Sequence, residues 1–96
     1  MAKGYIIGHL NITNPEAFKT HYASKIPSLL EVHGGRILVR GGNVSYYEGD
    51  KADIDVVVEF SDVASARAFI SSESYKEIEP ARKENSEGLF MIIEGV

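Results

Sequence analysis

Ninety-six residues, 44% of them apolar and 25% charged, make one compact domain, too short for two independent cores and too apolar for disorder. The net charge of −4 comes with no basic cluster, which excludes nucleic acid as an expected partner, because phosphate neutralisation supplies most of such affinity. The absence of cysteine excludes disulfides, thiolate nucleophiles and thiolate metal sites.

The first apolar run, from Tyr5, is short and interrupted by Gly8 and His9, so it reads as a strand rather than a signal peptide. Nothing approaches the roughly 20 apolar residues needed to cross a bilayer. No membrane association and a cytoplasmic location are the expectations.

Tyr5 to Ile12 has strand composition, and its alternation separates Ile6, Gly8, Leu10 and Ile12 from Tyr5, Ile7, His9 and Asn11. Asn14-Pro15-Glu16 is a helix start, with a capping side chain, a proline at the first helical position and an acid at the positive end. The helix carries Phe18, Tyr22, Ile26, Leu29, Leu30 and Val32 at helical spacing; Pro27 should kink it or split it. Gly34 is the expected left-handed stop.

Arg36 to Arg40 is the second strand, and Gly41-Gly42-Asn43 a turn. Val44 to Glu48 is expected to begin a third strand that resumes, after the polar loop Gly49 to Asp53, as Ile54 to Phe60. Ser61 or Asp62 can cap a second helix from Val63 to about Ser71. A shorter helical piece, Tyr75 to Glu84, should be divided by Pro80 and end at Gly88, before a final strand Leu89 to Glu94.

Strand, helix, strand, strand, helix, strand, with right-handed crossovers, gives an α+β ferredoxin-like sandwich: four antiparallel strands with the helices on one face. Ile37/Val39, Ile54/Val56/Val58/Phe60 and Leu89/Met91/Ile93 suit the helix side. Arg36/Leu38/Arg40, Asp55/Val57/Glu59 and Phe90/Ile92/Glu94 would then share the open face with Tyr5, Ile7, His9 and Asn11. That mixture is too apolar for bare solvent and too charged for a dry core. A homodimer in which two open faces meet around a polar-lined cavity is the expected solution.

Tyr5, Asn14-Pro15-Glu16-Ala17, Tyr22, Ile26-Pro27, His33-Gly34-Gly35-Arg36, Val39-Arg40-Gly41-Gly42, Glu48-Gly49, Glu59-Phe60, Ala66-Arg67-Ala68, Ser74-Tyr75, Arg82 and Glu94-Gly95-Val96 together resemble the bacterial domain-of-unknown-function 1330 family. The resemblance implies membership of the dimeric α/β-barrel superfamily, which includes antibiotic-biosynthesis monooxygenases, muconolactone isomerases and YciI-like proteins. It implies no particular reaction, since that fold supports several chemistries. The chain departs from the family's pattern at Phe69-Ile70, where Trp or Tyr is frequent.

Among the residues able to do chemistry, Arg40 could grip a carboxylate or enolate, and Glu59 could move a proton if burial raised its pKa. The bland alternative is that the two neutralise each other. His9 is the acid–base candidate, on the open strand face; otherwise it is a polar rim residue. Tyr22 could bring a hydroxyl to a cavity rim or be core with a solvated tip. Glu48 at a strand end, Tyr75 and Arg82 complete the substrate-binding candidates, the last equally readable as part of a solvated charge run with Glu77, Glu79 and Glu84. His21 and His33 cannot chelate one ion from a continuous helix, and no metal or cofactor is expected. Gly34-Gly35 and Gly41-Gly42 lack the spacing of a phosphate loop.

A cofactor-independent isomerase or monooxygenase-like enzyme acting on a small carboxylate or cyclic molecule is therefore one expectation. A non-catalytic ligand-binding or structural dimerisation module is the other.

Overall fold

The computed structural model describes residues 2–96. Strand β1 (Gly4–Ile12) alternates as its sequence predicts, burying Ile6, Gly8 and Leu10. Helix α1 (Pro15–His21) starts where expected, with the Asn14 side chain accepting from the Ala17 N–H at 3.2 Å. The helical run is then split: a 3-10 turn, Ala23–Lys25, precedes α2 (Ile26–His33), and Pro27 falls in the first turn of α2, where a missing N–H costs nothing. Gly34, at φ +74°, ends it in the left-handed conformation.

Strand β2 (Arg36–Arg40) and strand β3 (Ile54–Phe60) have the expected bounds. Asp62 caps helix α3 (Val63–Ser71), accepting from the Ser65 N–H at 2.7 Å. That bond holds its carboxyl below the usual carboxylate range. Ser72 caps helix α4 (Glu73–Asn85), and strand β4 (Ser86–Glu94) closes the fold.

Three expectations about elements are corrected. Val44 to Glu48 forms no strand: Gly41, Gly42 and Gly49 all have positive φ, and the exposed segment between them pairs with nothing. Pro80 does not divide α4, because it sits on the exposed side of the helix, away from the buried Tyr75 and Ile78; there water can satisfy the carbonyl left without a donor. Gly88 does not stop a helix. It lies inside β4 opposite Leu10, where the backbones of β1 and β4 approach too closely for a β-carbon.

The sheet order is β2-β3-β1-β4, antiparallel throughout, which is the ferredoxin-like arrangement with each crossover helix in two pieces. Ile6, Leu10, Val58 and Phe60 meet Phe18, Tyr22, Leu30, Phe69, Tyr75 and Ile78 in the core, so all helices pack on one sheet face.

The register corrects the partition of the two faces. Ile6 and Gly8 oppose Ile92 and Phe90, so β4 turns those residues to the helices and Leu89, Met91 and Ile93 to the open face. On β2 a bulge at Leu38 changes the parity: Ile37 opposes Val58, but Val39 opposes Val57 and Arg40 opposes Val56. Arg36 and Val39 therefore share the open face, and Arg40 lies on the helix side.

Candidate functional site

The sheet and the helical layer do not close completely on each other. Between them lies a cavity of about 90 Å³ whose lining is apolar apart from Tyr22 and Arg40. Its floor includes Gly8, Val56 and Ile54, and its roof is the broken helical run at Tyr22, Ala23 and Ile26. Gly8 contributes space: a β-carbon there would reach only ordinary contact, 3.8 Å from Leu10 and Val56 atoms. A benzene-binding protein cavity measures about 150 Å³. The natural occupant is thus smaller than benzene, or leaves its head at the exposed Arg40.

Behind the cavity wall runs a buried polar chain. The Arg82 Nε–H donates to the Tyr75 hydroxyl at 3.2 Å, and that hydroxyl is 2.8 Å from the hydroxyl of Tyr22. Arg82 is itself held: its guanidinium carbon lies 4.0 Å above the ring centroid of Phe90, a cavity-lining residue, and Nη2 is 3.9 Å from Glu79 Oε2. Tyr75 is wholly buried, and its ring packs on Phe69 with centroids 5.0 Å apart. Burial, reinforced by the neighbouring Tyr75, pushes the Tyr22 phenol far above its ordinary value, so it stays protonated.

The opposite sheet face carries a separate set of groups. His9 Nδ1 pairs with Asp55 Oδ1 across β1 and β3. Glu59 accepts from Arg36 Nη2 at 3.1 Å and from the Tyr5 hydroxyl at 3.2 Å. Desolvation and then the Glu59 bond raise the Tyr5 pKa. Around these groups Val39, Leu89, Met91 and Ile93 stand exposed.

The sequence-derived candidates therefore separate into three places. Tyr22, Tyr75 and Arg82 come together in one hydrogen-bonded chain, and of these Tyr22 shares the cavity lining with Arg40. His9 and Glu59 are on the far side of the sheet, so neither can move a proton on a molecule in this cavity. The expected partner of Glu59, Arg40, is replaced by Arg36, because the bulge carries Arg40 to the other face. Glu48 sits in the exposed loop and accepts from Tyr46 at 2.5 Å. This cavity lies within one chain and is distinct from the one expected between two open faces. Sequence reasoning missed Gly8, whose signal was a strand glycine with no turn to make. It also missed Phe90, which the reversed parity of β4 had put on the wrong face. Among the described residues, no group of three His, Asp or Glu side chains could hold a metal ion, and no helix is long and apolar enough to cross a membrane.

A phenol donor and a guanidinium at an apolar cavity can bind and orient an oxygen-bearing organic molecule. The Tyr22 phenol stays protonated at neutral pH, so it serves as a donor and not as a base.

A family model described as "Domain of unknown function (DUF1330)" matches residues 3–96. No curated protein matches. The chain is similar in fold to the crystal structure of RPA0582, a protein of unknown function from Rhodopseudomonas palustris: TM-score 0.74 at 15% identity, covering 99% of this chain and 83% of that one. The methylated form of RPA0582 gives a TM-score of 0.69 at 17% identity, covering 99% and 82%. A conserved protein from Methanosarcina mazei Go1 gives 0.55 at 22% identity, covering 98% and 91%. Identities this low support the fold alone.

Proposed function

We propose that this chain, which belongs to the DUF1330 family, binds a small, mostly apolar organic acid in the cavity between its sheet and its helices. The observation that carries this reading is the cavity lining itself, an apolar surface with Tyr22 and Arg40 among its residues. An apolar tail would fill the space over Gly8 and Val56, and a carboxylate would meet Arg40 at the edge strand. The reading is of a binding protein, because the proton-transfer candidates His9 and Glu59 lie across the sheet from the bound molecule.

Butyrate is a suitable probe, since its three-carbon tail suits the space and its head suits Arg40. Arg40→Ala is expected to weaken butyrate binding about tenfold, as loss of a charge-assisted hydrogen bond does. Equal affinity in wild type and Arg40→Ala, or no saturable binding in the wild type, contradicts the reading.

The same reading has two copies pairing through their open faces. Leu89, Met91 and Ile93 are 47%, 36% and 48% exposed in one chain, an apolar row that a second copy would cover. Glu59 and Asp55 on that face already have partners, Arg36 and His9, so pairing need strand neither of them. Sedimentation should give two chains for wild type and one for Met91→Lys. A monomeric wild type at micromolar concentration refutes the pairing.

A further inference from the structure

We infer that Arg82, Tyr75 and Tyr22 form a hydrogen-bond chain with a fixed direction, ending in a Tyr22 O–H left for the cavity's occupant, so that the site takes molecules bearing a carbonyl or carboxylate oxygen there. This rests on the cavity reading above and adds to it a chemical preference at the wall remote in sequence from Arg40.

The direction follows from counting protons. A guanidinium has donors and no acceptor, so Arg82 Nε–H must donate to the Tyr75 oxygen, 3.2 Å away. Tyr75 is fully buried, and the acceptor recorded within reach of its own proton is the Tyr22 oxygen at 2.8 Å. The reverse arrangement, with Tyr22 donating to Tyr75, would leave the Tyr75 proton without a partner in a dry interior. Tyr75 therefore donates to Tyr22. The Tyr22 proton then has no protein acceptor among the described residues. Of the three side chains, Tyr22 alone lines the cavity.

Two features keep this donor in place. Burial holds the Tyr22 phenol in its protonated form, and the fixed charge of Arg82 polarises both hydroxyls in the same sense. A hydrocarbon of suitable shape gains nothing from it. A ketone, aldehyde or carboxylate oxygen completes the chain. Tyr22 is the binding residue; Tyr75 and Arg82 are positioning residues that never touch the occupant.

Cyclobutanone and methylenecyclobutane test this, because they differ only in C=O against C=CH2. Affinities of both would be measured by NMR titration for wild type, Tyr22→Phe and Tyr75→Phe. Tyr22→Phe should weaken cyclobutanone about two- to tenfold, the worth of one hydrogen bond, and leave methylenecyclobutane unchanged. Tyr75→Phe should also lower the ketone-to-alkene ratio, although it lies behind the wall. If Tyr75→Phe weakens both probes alike, its role is structural and the chain is refuted. A measurement on the wild type alone serves if either variant fails to fold: the carbonyl stretch of bound 13C-labelled cyclobutanone should fall below its value in alkane solvent. An unshifted stretch overturns the donor. Binding of the alkene without any Tyr22-dependent gain for the ketone refutes this inference and leaves the cavity standing. Binding of neither probe refutes the cavity reading, and this inference with it.

Discussion

Gly88→Ala should lower the unfolding free energy by about 3–5 kcal/mol, combining backbone strain with overpacking. A domain of this size has roughly 5–15 kcal/mol in total. Gly88 has φ +129°, and a β-carbon there would overlap the carbonyl oxygen of His9 and come within 3.3 Å of its carbon. Neither atom belongs to a flexible side chain that could swing away; both are backbone in the central strand. Relief would require β4 to peel from β1, which breaks the nine-residue ladder from Gly4↔Glu94 to Ile12↔Ser86. Gly34→Ala is the control. Its φ is +74° but its β-carbon meets nothing within 4 Å, so only the left-handed penalty of about 1 kcal/mol applies. Urea denaturation of the two variants should separate them widely. A Gly88→Ala protein no less stable than Gly34→Ala would show that the register of β4 is wrong.

Tyr75→Ala should cost about 3–5 kcal/mol, the range for truncating a buried aromatic. The ring has no exposed surface and touches Phe69 and Tyr22, with centroids 5.0 and 6.0 Å away. Tyr75→Phe keeps that packing and removes the hydroxyl alone. Its cost, about 1–3 kcal/mol, is that of leaving a largely buried Arg82 Nε–H without an acceptor. Thermal or chemical denaturation gives both values. The difference between them separates what the ring contributes from what its oxygen contributes. If Tyr75→Phe is neutral, the polar chain behind the cavity contributes nothing measurable to the fold.

The sequence made the element boundaries legible wherever a local chemical signal marked them. Asn14 before Pro15, Asp62 before Val63 and Gly34 after His33 each impose a backbone state on their own, and each stands where expected. The faces were harder. Leu89 to Ile93 is five apolar residues in succession, so alternation cannot say which three face water; the pairing of Gly88 with Leu10 decides it. The bulge at Leu38 is equally silent, because Ile-Leu-Val reads as uninterrupted strand, yet it moves Arg40 from one face to the other.

The site followed the same rule. Tyr22, Tyr75 and Arg82 could each be singled out by residue type. Their meeting is a tertiary event, across 53 positions for the two tyrosines, created by packing α4 beside α1. The cavity depends on an absence of side chain at Gly8 and on the break of the helical run at Ala23–Lys25, just ahead of Pro27. Both are visible in the sequence as isolated breakers, but only the fold stacks one over the other.

Methyl-resolved NMR of the wild-type protein titrated with butyrate tests the central claim most directly. The cavity account predicts saturable shifts at Ile54, Val56 and Leu30, which line the space between sheet and helices, with Leu89, Met91 and Ile93 unmoved. Shifts confined to those last three residues would place the binding surface on the open face and contradict the account.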